Sequence, residues 1–259
     1  MGYTYLLSDV HGLLDCFESD LAQINLQPDD TLYVLGDVID RGAHGIAILR
    51  KIMAMPNARM LLGNHEFMML NALGEPYDGK RRNVSDSCEL WYGNGGGITH
   101  IGWYCLPNAQ KAEILDYLKS LPLNIDIEVG GKQFRLVHAA DTEFYSHYKR
   151  QYRSQAEYSV WERNALAEMS ESGKNYVFGH TGTFMFEPKT NPSIWHKGNL
   201  IGIDCGCAIK DGFYEPQIGM IKGRLGCIRL DDMKEFYSGN IIGTNRRKKK
   251  ENIIPLKTR

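Results

Sequence analysis

The sequence predicts an α/β fold, and three observations carry that expectation. Between Tyr3 and Leu73 the chain repeats one unit three times, an apolar strand, a short polar motif and an amphipathic helix, which argues for βαβ units and a parallel sheet. After about the midpoint the pattern changes to short alternating strands, including a hairpin turned at Gly130-Gly131. At 259 residues the chain is long enough to bury a substantial core.

In order, residues 3–8 read as the first strand, and Leu14, Phe17, Leu21 and Ile24 mark one face of a helix. Gln27-Pro28-Asp29-Asp30 ends that helix before a buried strand at 31–36. Ile46, Leu49 and Met53, with Ile48 and Ile52 beside them, form a second helix, closed by Pro56-Asn57 ahead of a strand at 58–62. His65 to Leu73 is the third helix. Residues 74–87 read as a surface excursion, followed by Trp91 and Asn94-Gly95-Gly96-Gly97. For those glycines a plain loop and a substrate-side role both stand open. Pro107 opens a helix carrying Ile114, Leu115, Leu118 and Leu121. Residues 124–129 pair with 134–138 as the hairpin, 142–160 show no clean period, and 156–170 look helical around Trp161, Leu166 and Met169. Tyr176-Val177-Phe178 runs into Gly179-His180-Thr181, and further strands are expected at 199–204, 226–230 and 234–238. Residues 1–243 are expected to form one domain, with 244–259 a basic tail. Its run Arg246-Arg247-Lys248-Lys249-Lys250 reads as a frayed, solvated end rather than a dock for an acidic partner or nucleic acid.

Composition narrows the classes of function. A net charge of −1 gives no global reason to expect nucleic acid as a partner. No apolar run is long enough to span a membrane. The first strand begins at Tyr3 with no room for a signal peptide, and Leu6 stands where a myristoylation motif needs Ser or Thr. The six cysteines are therefore expected to be reduced and the protein cytoplasmic. Cys205 and Cys207, two apart on an expected strand, read as half-buried thiols sharing a face.

Chemistry concentrates at the strand ends. Ser8-Asp9-Val10-His11-Gly12, Gly36-Asp37-Val38-Ile39-Asp40-Arg41-Gly42 and Gly63-Asn64-His65-Glu66 each follow an apolar strand, where ligands of open α/β sheets bind. Alone, each motif is an ordinary polar loop; three in succession point to a shared site. His138 and His180 also end apolar strands and could supply the nitrogen ligands that this acidic site lacks, whereas His44, His100, His147 and His196 have no such context. Asp9, His11, Asp37, Asn64, His138 and His180 form a mixed oxygen and nitrogen set suited to two divalent metals, with Asp37 the natural bridge. Such ligands suit manganese first, or iron or zinc; without thiolates, copper(I) and iron–sulfur centres are disfavoured. Two ions about 3.5–4 Å apart can activate one hydroxide for in-line phosphoryl displacement.

These motifs, with their order and spacing over roughly residues 3–230, resemble those of the calcineurin-like metallophosphoesterases. Within that group they are similar to the Ser/Thr protein phosphatase family and its small bacteriophage lambda-type members. Trp91 with Asn94-Gly95-Gly96, and Ile203-Asp204 with Gly206, add to the likeness. The resemblance implies a four-layer α/β/β/α sandwich of two mixed sheets flanked by helices. It also implies roles: Asp9, His11 and Asp37 for one metal, and Asp37, Asn64, His138 and His180 for the other. His65 would protonate the leaving alkoxide, oriented by Asp40, and Arg41 and Arg163 would grip the phosphate. Leu62 departs from the pattern, since many members carry Arg there. The implied substrate is a phosphoserine or phosphothreonine protein or peptide, with a small phosphoester as an alternative. Dinucleoside-polyphosphate hydrolases on the same scaffold are the nearest rival, but tend to read Ala-Arg-Gly and Asn-His-Asp where this chain has Asp40-Arg41-Gly42 and Asn64-His65-Glu66. A non-catalytic nucleic-acid-binding or scaffold protein has only the basic tail in its favour. Oligomeric state is not legible in the sequence.

Overall fold

The computed structural model describes residues 2–209, 213–216 and 218–239; the basic tail considered above lies outside them. The first half runs β1 (Thr4–Leu7), α1 (Leu14–Ile24), β2 (Thr31–Val34), α2 (Gly45–Met53), β3 (Ala58–Met60) and α3 (Asn64–Ala72). Three more helices follow, α4 (Val84–Gly93), α5 (Gly97–Tyr104) and α6 (Asn108–Ser120). The second half carries β4 (Asn124–Val129), β5 (Lys132–Val137), α7 (Tyr145–Tyr148), α8 (Gln155–Trp161), α9 (Leu166–Glu171) and β6 (Asn175–Phe178). It finishes with β7 (Trp195–Lys197), β8 (Leu200–Gly202), β9 (Phe213–Glu215), β10 (Gly219–Ile221), β11 (Gly226–Arg229) and β12 (Lys234–Tyr237).

Two five-stranded mixed sheets result. The first has the order β12-β11-β1-β2-β3, with β1, β2 and β3 parallel and β11 and β12 antiparallel beyond them. The second has the order β4-β5-β6-β8-β7, with β5, β6 and β8 parallel and an antiparallel strand at each edge. Strands β9 and β10 pair as a separate two-stranded ribbon.

The pleat explains how the sheets stack. On β1, Tyr5 and Leu7 join a core with the first helices, including Phe17, Ile48 and Met69, while Leu6 turns the other way. Leu6, Leu35 and Leu61 meet Phe134, Leu136, Val177 and Ile201 of the second sheet in an inter-sheet core. Val137, Tyr176 and Phe178 form a third core with Tyr158 and Met169. Three apolar interfaces separate four layers, helix, sheet, sheet and helix, as strands with alternating faces require. Among the described residues no helix is long and apolar enough to cross a membrane.

Two local expectations are corrected. Residues 156–170 are not one helix. Glu162 is extended, with ψ 129°, and its carboxylate accepts from the Asn164 N–H, so α8 stops there and Arg163 lies exposed between α8 and α9. Cys205 and Cys207 do not share a half-buried strand face. Gly206 between them has φ +72°, both thiols are buried, and they enter different cores. Cys205 lies between the sheets, whereas Cys207 meets Cys16 on the helix side.

Candidate metal centre and active site

Every expected metal ligand sits just past the carboxyl end of a strand. Asp9 and His11 follow β1, Asp37 follows β2, Asn64 follows β3, His138 follows β5 and His180 follows β6. The first two loops are stitched together through the backbone: Asp9 N–H donates to Gly36 O at 3.2 Å, His11 N–H to Asp37 O at 3.0 Å and Gly42 N–H to His11 O at 2.9 Å. This tight threading forces unusual dihedrals. Among the described residues eight non-glycines have positive φ, and Asp9, His11, Asp37, Asp40, Arg41 and His180 are six of them. Backbone strain of that kind persists where the surroundings over-determine it, and here it gathers at one site.

The imidazoles show what the site is built to hold. His138 Nδ1 donates to Leu35 O at 2.6 Å, so in the neutral ring Nε2 carries the lone pair. That lone pair faces Asn64 Oδ1 at 3.0 Å and Asp37 Oδ1 at 3.5 Å, both acceptors. His180 repeats the arrangement with its nitrogens exchanged. Its Nε2 donates to Trp161 O at 3.3 Å, and Nδ1 faces the same Asn64 Oδ1 at 2.9 Å. His11 Nδ1 donates to Ile39 O at 3.2 Å, which turns Nε2 toward Asp37 Oδ2 at 3.8 Å and Asp9 Oδ1 at 3.9 Å. Burial holds the histidines in the neutral form, His11 and His180 well below the usual imidazole range and His138 also lowered.

The carboxylates are equally short of positive charge. Burial, with Asp9 and Glu66 nearby, pushes Asp37 well above the carboxylate range, and burial beside Asp9 lifts Asp204 to about 8. Imidazole lone pairs and carboxyl oxygens that converge in this way form a donor set for cations. Two overlapping clusters have ligand atoms within 4.8 Å of one another, His11, Asp37 and His65 in one, and Asp37, His138 and His180 in the other. Asp37 belongs to both, the position of a bridge.

His65 stands beside this set in a different setting. Its Nδ1 donates to Asp40 Oδ2 at 2.7 Å, and its Nε2 accepts from the Arg41 guanidinium at 3.2 Å. Burial lowers its pKa, and Asp40 opposes that shift. Arg163 is exposed, but its charge reaches His138, His180 and Asp204. Leu62 is buried in the helix-side apolar core, so nothing at that position balances the acidic residues.

Sequence reasoning assigned no role to Glu66, yet it holds the central loop in shape. Its carboxylate accepts the N–H groups of Asp37 and Val38 at 2.9 Å, Ile39 at 3.3 Å and Gly63 at 3.2 Å. Burial raises its pKa to about 7. The available signal was an acid in the first turn of a helix that starts at a motif. Gly63 is needed for close approach, because a Cβ there would lie 2.2 Å from Asp37 Oδ1. Asp204, noted in the sequence without a role, joins the cluster from the end of β8. The excursion after α3 and the aperiodic segment 142–160, rich in Tyr and Arg, meet beside the site. Phe67, Arg82, Leu90, Arg153, Glu157 and Trp161 line a cavity of about 180 Å³ there, and the Trp161 ring packs edge-on against His180.

Comparison with known proteins agrees with this geometry. The family model for calcineurin-like phosphoesterases matches residues 3–202. The chain is 34% identical over 137 residues to a symmetrical bis(5'-nucleosyl)-tetraphosphatase of Acidovorax ebreus, a match covering 52% of this chain and 43% of that protein. It thus spans less than half the length of that relative. It is 29% identical over 215 residues to serine/threonine-protein phosphatase 2 of Salmonella typhimurium, covering 76% of this chain and 90% of the other. A solved structure, provisionally assigned as a diadenosine tetraphosphatase, superposes with a TM-score of 0.57 at 19% identity, over 91% of this chain and 92% of that one, which bears on the fold alone.

Proposed function

Because the chain belongs to the calcineurin-like phosphoesterase family, a family of hydrolases, we propose that it is a dimetal phosphomonoesterase acting on phosphoserine or phosphothreonine in proteins. The observation that carries the reading is the convergence of three imidazole lone pairs on buried oxygens around Asp37. Asp9, His11 and Asp37 would hold one divalent ion, and Asp37, Asn64, His138 and His180 the other, with manganese the first candidate and iron or zinc the alternatives. Bound there, the ions supply Lewis acidity that lowers the pKa of water and offsets phosphoryl charge.

The remaining steps belong to the chain's own residues. Arg41 and Arg163 present guanidinium groups to the phosphate oxygens, a planar fork that matches them better than an ammonium does. As Arg41 turns to the phosphate it frees His65 Nε2. With Nδ1 kept on Asp40, Nε2 takes up a proton from solvent, and the imidazolium so formed gives that proton to the departing alkoxide and returns to the neutral ring. Asp40 fixes the tautomer and offsets the imidazolium charge.

For the substrate, two features favour a phosphoprotein. The similarity to the Salmonella phosphatase spans most of both chains, while that to the Acidovorax enzyme covers half of this one. Asp40 and Glu66 also stand where the dinucleotide hydrolases tend to carry Ala and Asp. The test is hydrolysis after metal stripping and Mn²⁺ addition, comparing a phosphoserine peptide with diadenosine tetraphosphate. Faster turnover of the peptide is expected. Preference for the dinucleotide would overturn the substrate while leaving the chemistry in place.

A further inference from the structure

The loop Asn94-Gly95-Gly96-Gly97 and the tryptophan before it remain unexplained by the reaction, yet they press directly on it. Trp91 is completely buried, and its indole Nε1–H donates to Asp40 Oδ2 at 2.8 Å, the same oxygen that receives His65 Nδ1–H at 2.7 Å. Asp40 Oδ1 has no hydrogen-bond partner among the described residues, so Oδ2 gathers both donors. The backbone of the neighbouring dipeptide is held by the same segment. Asp40 N–H donates to Thr99 Oγ1 at 2.9 Å, and Arg41 N–H donates to Gly95 O at 3.1 Å. Asp40 and Arg41 have φ of 72° and 63°, dihedrals that need such external support. Gly96 lies flat under the indole, since a Cβ there would come within 2.3 Å of Nε1.

We propose that the α4–α5 hairpin positions the proton donor. Trp91 locks the Asp40 carboxylate, and Thr99 and Gly95 lock its backbone, so that His65 Nε2 stays aimed at the leaving oxygen. A carboxylate with one donor can rotate about its side-chain bonds; two N–H groups on one oxygen fix both its direction and that of the ring it holds. Trp91 is thus a positioning residue acting through Asp40 and His65. This inference rests on the reading of His65 as the acid.

The test separates leaving groups. Phenyl phosphate needs a proton on its departing oxygen, whereas p-nitrophenyl phosphate leaves with far less help. Trp91→Phe keeps an aromatic ring, smaller than the indole, and removes the N–H. In the Mn²⁺-loaded enzyme it should lower kcat on phenyl phosphate roughly tenfold, the worth of one charge-assisted hydrogen bond, and on p-nitrophenyl phosphate by less than about twofold. Metal content, measured by mass spectrometry, should stay at the wild-type value. In a His65→Ala background the same change should cost nothing further. Thr99→Val, a milder alteration, should show the same selectivity and decides the matter if Trp91→Phe folds poorly. Equal losses on both substrates, loss of metal, or full additivity with His65→Ala would overturn the role. If His65→Ala itself falls equally on both substrates, the proton-donor reading fails and this inference with it. If His65→Ala is selective and the Trp91 and Thr99 variants are not, only the positioning role is lost.

Discussion

His65 and His138 show how neighbouring groups give one residue type two different settings. His138 points Nδ1 at a backbone carbonyl and offers Nε2 to buried oxygens, a ligand's arrangement. His65 points Nδ1 at a carboxylate that can support positive charge on the ring, an acid's arrangement. A histidine that moves a proton should be removable without losing metal. His65→Ala is therefore expected to keep the wild-type metal content and lose turnover of a phosphoserine peptide by about 10²–10⁴-fold. Near-normal turnover would remove His65 from the mechanism. At this scale the sequence was informative about which residues converge wherever a candidate lay in a strand-end motif. It was silent where function depends on a backbone group, as with the Leu35 and Trp161 carbonyls that set the tautomers of His138 and His180. Arg163 could be named from a short pattern only. Its exposed position past α8 follows from the Glu162 turn, which local periodicity does not register.

Among the elements, α3 joins fold to site most directly. It starts at Asn64, it is buried along its whole length, and its third residue, Glu66, collects four backbone N–H groups from Gly63 and the Asp37 loop. Glu66→Gln keeps the shape but turns an amide NH₂ toward donors, leaving at least one of them unsatisfied. A loss of about 1–3 kcal/mol is expected, read as a lowered Tm. An unchanged Tm would mean that the loop holds itself. The strand–motif–helix repeats were legible because each apolar run is long and bounded by Gly, Pro or acidic residues. The first turn of helix α4 was hidden at the end of an apparent excursion, although Asn83 carried a usable signal as its N-cap, accepting from the N–H groups of Ser85 and Asp86. Helix α5, GITHIGWY, contains two glycines and exposes Ile98, Ile101 and Tyr104, so it shows no one-sided stripe. The three-residue strands β7, β9 and β10 are too short to show a period.

Across the whole molecule, two sheets converge on a pocket of like charge that is costly without cations. In the metal-free protein Glu66 is raised to about 7, and Asp204 and Asp20 to about 8, from ordinary values of 4.5 and 3.8. Each such group keeps its proton in the fold while the unfolded chain has released it. The stability it contributes is therefore present at low pH and lost as pH rises through the folded value. The lowered histidines His11, His138 and His180 act with the opposite sign, but only below their ordinary value of 6.5. Between about pH 6.5 and 8 these carboxyl groups outnumber the one opposing group in that range, the Cys16 thiol lowered to about 7 by its hydrogen bond with Cys207, and the Tm of the metal-free protein should fall across the window. Mn²⁺ should flatten the decline, since cations replace protons as the partners of the site; Asp20, outside the site, should keep its share. A Tm that rises from pH 6.5 to 8 without metal would contradict this assignment. Near-neutral net charge gave no hint of the concentration, because the sum counts every charge in the chain without regard to where it lies.

The most direct measurement is the number of divalent ions bound per chain, determined by mass spectrometry after dialysis against Mn²⁺, for the wild type and Asp37→Asn. Two ions in the wild type, and the loss of both metal and phosphatase activity in the variant, are the predicted result for a carboxylate shared by two sites. A wild type that binds no ion, or an Asp37→Asn protein that keeps two, would contradict the dimetal centre on which the proposed hydrolase rests.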